Sequence, residues 1–223
     1  GTKMKITGGT TKLIFLNNKW YQLHYFTAQE WQKLEVNQNT TVDLLIVGGG
    51  AAGSKHNQHF RTGGGGGAGG LVFKQNYNLN VGVYDVYVGA GGDGDVGNLT
   101  PAAGTKGEDT VFGNLTGIGG SPGSTFYFNS FPGGSGGGGA GGGQASNFTK
   151  FGNLSIQSSD PSGGFGNPGG DGIDSDARGN AGGGGGADTL PRHGSRAGRG
   201  ARQRRLPERS GYADAALGVR GPR

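Results

Sequence analysis

Fifty-five of the 223 residues are glycine, gathered in runs such as 63–67, 136–139 and 182–186 between short stretches of aromatic and β-branched residues. Ordering a glycine costs roughly 0.5–1 kcal/mol more than ordering an alanine. Over 55 positions that exceeds the net stability of a typical domain, about 5–15 kcal/mol. Side-chain burial cannot offset it, because Leu, Ile, Val and Phe together make up just under a fifth of the chain. Either the runs are disordered or main-chain hydrogen bonds hold them in a lattice that only residues without a β-carbon can form. Net charge is only +5, so half of the compositional signature of disorder is missing, and order is expected.

The runs lack the every-third-residue spacing of collagen. They can instead adopt the extended left-handed conformation with three residues per turn and pack side by side. A five-residue run then spans about 16 Å, enough for one layer between two loop-bearing ends. No amphipathic helix of useful length is visible. The expected fold is mainly β: an N-terminal antiparallel base over 1–47, a glycine-rich domain of short strands and polyglycine II helices over 48–190, and an Arg-rich tail over 191–223.

In the base, Thr11 to Leu16 and Trp20 to Phe26 flank the polar link Asn17-Asn18-Lys19, as in a hairpin. Glu30 to Val36 and Thr41 to Val47 read as a second hairpin across residues 37–40. Trp20, Tyr21, Tyr25 and Trp31 are then expected to form an aromatic face. Further on, Val81, Val83, Asp85 and Tyr87 alternate with Gly82, Tyr84, Val86 and Val88, a period-2 strand. A weak repeat links Phe112-Gly113-Asn114-Leu115-Thr116 to Phe151-Gly152-Asn153-Leu154-Ser155.

Charge is segregated. Residues 1–190 carry net −2, whereas 191–223 carry nine Arg against two acids, net +7. A nucleic-acid reading is therefore confined to the tail. Two origins fit the tail: an Arg/Gly segment that contacts RNA phosphates, and a shifted reading frame through a glycine-codon-rich gene. Cysteine is absent, which excludes disulfides and thiolate chemistry. No stretch reaches the roughly 20 apolar residues of a membrane span, and the first residues lack the apolar core of a signal peptide.

Several motifs invite chemistry. Val42 to Val47 runs into Gly48-Gly49-Gly50-Ala51-Ala52-Gly53, which looks like the opening of a dinucleotide-binding domain. Such a site needs a helix immediately afterwards to hold the pyrophosphate, and residues 54–62 followed by five glycines cannot supply one. His56 and His59 stand three apart but read as a polar loop. Gly169 to Asp176 partly matches a calcium-binding nonapeptide in a single copy, and reads as a solvated turn, as do Asp93 and Asp95. No catalytic constellation stands out, so neither an enzyme nor a cofactor or metal is expected. Phe126, Tyr127, Phe128 and Phe131 put four aromatics within six residues. Phe126 and Phe128 suit a core strand, while exposed rings at Tyr127 and Phe131 suit contact with a carbohydrate or protein surface.

Taken in order, several elements between Trp20 and Ala187 resemble the glycine-rich domains of phage tail fibres and tail-tip adhesins. They are the strand Trp20 to Phe26, the strand Val42 to Val47 running into Gly48, the block Gly63 to Val72, the strand Val83 to Val88 ending in Gly89-Ala90-Gly91-Gly92, and Thr110-Val111-Phe112-Gly113. The resemblance implies a sandwich of polyglycine II helices on an extracellular virion, whose distal loops touch a bacterial surface receptor, an outer-membrane protein or glycan. It also implies other fibre subunits as partners and a homo-oligomer. Phe126, Tyr127, Phe128 and Phe131 are the expected receptor contacts, with the loop His56 to Arg61 as second choice. Two further readings are a structural subunit of a glycine-rich fibre or coat, and an RNA-associated protein acting through the tail.

Overall fold

The computed structural model describes residues 5–55, 61–94, 104–125, 127, 131–142, 151–157, 164–172, 181–186 and 217–222. Among them every regular element is a strand, and the fold is mainly β with antiparallel sheets. In chain order the strands are β1 (Ile6–Thr7), β2 (Thr10–Leu16), β3 (Lys19–Phe26), β4 (Trp31–Val36), β5 (Thr40–Val47), β6 (Arg61–Thr62) and β7 (Leu71–Leu79). They continue with β8 (Gly82–Tyr87), β9 (Thr110–Phe112), β10 (Leu115–Gly117), β11 (Gly141–Gly142), β12 (Gly164–Phe165) and β13 (Leu217–Pro222).

Two sheets form a sandwich base. One has the order β1-β4-β8-β9-β10 and the other β12-β7-β5-β13-β3-β2. Period-2 alternation supplies the core: Leu34, Val36, Val86 and Phe112 from the first sheet meet Phe26, Val42, Leu44, Ile46, Val72 and Leu79 from the second. Strands that follow residue 47 in sequence thus complete the same sheets as those before it. The terminal strand β13 sits between β3 and β5.

The first expected hairpin forms as β2–β3, and its turn is the two residues Asn17 and Asn18, with φ of 50° and 60°. Two positive φ values match the twist of the flanking strands, and asparagine tolerates them. The second expected hairpin does not form. β4 pairs with β1 and β8, whereas β5 pairs with β7 and β13, so residues 37–39 cross from one sheet to the other. Both strands carry a buried apolar face, and placing them on opposite sides of the core buries both at once. The expected aromatic face is likewise absent: Trp20 and Trp31 lie on different sheets and are exposed, and Tyr21 and Tyr25 are partly buried on the opposite face of β3 from Trp20. The strand over 81–88 is observed as β8, with Val86 and Val88 buried and Val81 and Val83 exposed.

Beyond the base, eight extended segments run side by side: 48–54, 63–70, 89–94, 104–109, 118–124, 133–140, 166–172 and 181–186. Their main-chain hydrogen bonds recur every third residue. Gly48, Ala51 and Ser54 donate to Gly70, Gly67 and Gly64; Gly64 and Gly67 donate to Ser124 and Ser121; Gly65 and Ala68 donate to Gly182 and Gly185. Each segment thus turns a different residue toward each neighbour. The bonds assemble two rows, 89–94, 48–54, 63–70 and 181–186 in one, and 104–109, 118–124, 133–140 and 166–172 in the other. Cross-links zigzag between the rows, such as Gly49 to Glu108, Gly120 to Gly49, Ser135 to Ala68 and Gly182 to Gly139.

Glycine is needed here for close approach. The positive-φ glycines among the described residues are Gly8, Gly9, Gly82 and Gly113, all in the base. In the rows, a β-carbon on Gly69 would overlap the carbonyl of Gly48, and one on Gly119 the carbonyl of Gly107. Alanine or serine appears where the side chain has room, as at Ala51, Ala68 and Ser121.

Candidate functional site

The base fixes one end of the lattice. Gly48 continues β5, Gly70 leads into β7, and Ile118 continues β10; these three residues are bonded together, Gly48 to Gly70 and Gly70 to Ile118. The opposite end is tied by Ser54 to Gly64, Gly64 to Ser124 and Ser124 to Gly138, and by β6 pairing with β11. The connections between residues 55 and 61, 94 and 104, 142 and 151, and 172 and 181 all leave from this remote end. They lie outside the described residues, and with them His56, His59 and most of the loop His56 to Arg61.

Of the four expected contact residues, Phe126 and Phe128 also lie outside the described residues. Tyr127 and Phe131 are exposed, at 50% and 53%. Tyr127 follows segment 118–124 at the remote end. Phe131 precedes Gly133, and Gly134 is bonded to Gly119 near the base. The aromatic stretch therefore joins opposite ends of two adjacent, parallel segments.

Gly133, two residues beyond Phe131, has main-chain neighbours that the sequence did not announce. Gly133 donates to the carbonyl of Leu154 at 3.4 Å and accepts from the amide of Ile156 at 2.8 Å. The stretch 151–157 packs on the second row with its polar side chains inward. Asn153 Nδ2 reaches Gly137 O at 3.5 Å, Ser155 Oγ donates to Gly134 O at 2.6 Å, and Gln157 accepts from the Ile118 amide at 2.8 Å while donating to Thr116 O. Glycine-rich backbone offers carbonyls rather than side chains, so polar groups are what it buries. Phe151, Leu154 and Ile156 are left facing outward at 69%, 67% and 52% exposure. They make an apolar flank on the lattice. The signal was present as the polar/apolar alternation of Asn153-Leu154-Ser155-Ile156-Gln157, an inverted strand pattern.

The other motifs resolve locally. In the glycine triplet after β5, the amides of Gly48, Gly49, Ala51 and Ala52 donate to main-chain carbonyls, and among the described residues no helix follows to receive a pyrophosphate. Gly169 to Gly172 run within a lattice segment rather than a turn, and Asp171 Oδ1 accepts from the Gly152 amide of the neighbouring stretch at 2.8 Å; residues 173–176 lie outside the described residues. Phe112-Gly113-Asn114-Leu115 forms the β9–β10 hairpin, while its sequence repeat at Phe151 lies along the lattice. Among the described residues no three His, Asp or Glu side chains converge as a metal site, and no helix is long and apolar enough to cross a membrane. Near the base, the Tyr87 hydroxyl donates to Glu108 Oε2 at 2.8 Å. That bond, aided by desolvation and the carboxylate charge, holds the phenol above its ordinary pKa.

No curated protein and no solved structure matches the chain. A family model described as a glycine-rich domain matches residues 27–218, a span running from the end of β3 to the first residues of β13 and including the whole lattice. The chain belongs to the glycine-rich domain family.

Proposed function

We propose that the protein is a non-enzymatic adhesin of a phage tail fibre or tail tip, and that its eight glycine segments are polyglycine II helices. Two features support the helices: bonds to each neighbour recur every third residue, and the positive-φ glycines among the described residues lie in the base. These are the marks of a left-handed helix with three residues per turn. The observation that carries the functional reading is polarity. A sandwich base closes one end of a cross-linked lattice, and four chain connections leave from the other. Such a scaffold presents contact residues with little ordering cost on binding. The receptor is a bacterial surface protein or glycan, the setting is the extracellular virion, and the base serves attachment to other fibre subunits.

The test is binding of the purified chain to bacterial cells across a panel of surface types. Saturable binding that Tyr127→Ala or Phe131→Ala weakens tenfold or more supports both the adhesin and its contact residues. Binding unchanged in both variants moves the contact to the distal connections. No saturable binding to any surface removes the reading.

A further inference from the structure

We propose that the lattice continues from one copy of the chain into the next, head to tail, through main-chain hydrogen bonds between its two outer edges. The inference rests on the bonding pattern and is independent of what the protein binds on a cell.

One edge is segment 181–186. Its Gly182 and Gly185 accept from Gly65 and Ala68 and donate to Gly139 and Gly136 in the other row. In segment 63–70, Gly64 and Gly67 occupy the same phase, accepting from Ser54 and Ala51 and donating to Ser124 and Ser121. The next phase of that segment, Gly65 and Ala68, donates sideways to the neighbour in its own row. The counterparts on the edge are Gly183 and Gly186. Both are exposed, and no described residue accepts from their amides.

The opposite edge is segment 89–94. The carbonyls of Ala90 and Asp93 accept from Glu108 and Thr105 in the other row, as those of Gly49 and Ala52 accept from Gly120 and Gly123. The phase after Gly49 is Gly50, whose carbonyl accepts sideways from Gly92. Its counterparts on the edge are Gly91 and Gly94, both exposed, with carbonyls that accept from no described residue. One edge thus offers two amides three residues apart, and the other two carbonyls three residues apart.

The residue types agree. Lattice glycines such as Gly64, Gly119 and Gly138 are forced, because a β-carbon would overlap a neighbouring carbonyl. At Gly183 and Gly186 a β-carbon would meet nothing within 4 Å, and at Gly94 only the methyl of Ala52 at 3.7 Å. Nothing within the chain requires glycine there; at the interior counterparts Gly53, Gly65 and Ala68 a neighbouring segment leaves room for a β-carbon at most, so a valine at either edge would block an incoming backbone. A second copy is the fitting occupant because each edge offers what the other lacks. Like edges would set donors against donors. The contact is therefore heterologous and closes a ring or extends a filament.

The experiment is sedimentation of the full chain over a concentration series, beside Gly183→Val/Gly186→Val and Gly94→Val. Wild type is expected to form species larger than a monomer as concentration rises. Each blocked variant should lose them while keeping the wild-type unfolding midpoint, and an equimolar mixture of the two should form a dimer and nothing larger, through the one intact edge on each. Should the valines lower the midpoint, Gly183→Pro/Gly186→Pro, which removes the two donating amides, takes their place. A wild type that stays monomeric throughout, blocked variants that assemble like wild type, or a mixture that gives no dimer would each overturn the proposal. Cell binding is read separately, so failure here and failure of the adhesin reading are distinct.

Discussion

Gly138 packs so tightly against the Gly182 carbonyl that a β-carbon on Gly138 would overlap it, whereas Gly183, one residue further along the same segment, has open space at that position. Gly138→Ala is expected to destabilise the protein by about 3 kcal/mol, at the upper end of overpacking costs. Gly183→Ala should instead stabilise it by about 0.4–1 kcal/mol, since its φ suits alanine and the unfolded chain loses freedom. Urea denaturation of the pair reads the contrast directly, and equal effects would contradict the lattice.

Leu34 on β4 and Leu44 on β5 are fully buried in one core although their strands belong to different sheets. Leu34→Ala and Leu44→Ala should each cost about 2–5 kcal/mol, and the double variant should depart from additivity through the shared core. Chemical denaturation of the double-mutant cycle measures this. Strict additivity would argue against the sandwich.

Tyr87 gives the base a pH dependence on the alkaline side. Hydrogen bonding to Glu108 raises the folded-state pKa of the phenol, so the folded state favours the neutral form. The resulting contribution is fully present below the unfolded value of about 10 and is lost as pH rises through the folded-state value. Melting temperatures measured between pH 8 and 11.5 should fall in this range by less for Tyr87→Phe than for wild type.

Strand β13 lies between β3 and β5, with Val219 opposite both His24 and Leu44. Truncation after residue 216 would uncover two strand edges in the middle of a sheet, a template for aggregation. The truncated chain should show a lower melting temperature and concentration-dependent aggregation by light scattering. A truncated chain as stable and monodisperse as wild type would mean that the strand contributes nothing.

Gln157 satisfies the Ile118 amide and the Thr116 carbonyl where the lattice meets β10. Gln157→Leu leaves both without that partner and should cost about 1–3 kcal/mol. Hydrogen exchange at Ile118 should accelerate with it.

What could be read from the chain follows from where side chains dictate position. The β2–β3 hairpin was legible because Asn17-Asn18 is a local turn signal between alternating strands. The lattice was legible as a demand, since the glycine runs needed main-chain partners from somewhere. Which run lies beside which was not, because bare segments carry no side-chain code and the choice is set by the strands that anchor them. The partners of β4 and β5 were misread for a related reason: a short polar link looks the same whether it turns within one sheet or crosses to another. β13 was hidden because Leu217-Gly218-Val219-Arg220 is short and follows an Arg-rich stretch with no strand pattern. The apolar flank at Leu154 and Ile156 went unread because outward apolar residues invert the usual rule, which presumes an apolar interior.

The three-residue repeat of the cross-links also limits how such a gene can change length. Adding or removing one codon inside a run would rotate every later residue of that segment by about a third of a turn, turning amides away from their acceptors along the rest of it. Gains and losses in steps of three keep the phase. The distal connections carry no such constraint, so length variation should collect there freely and enter the runs only in triplets of residues.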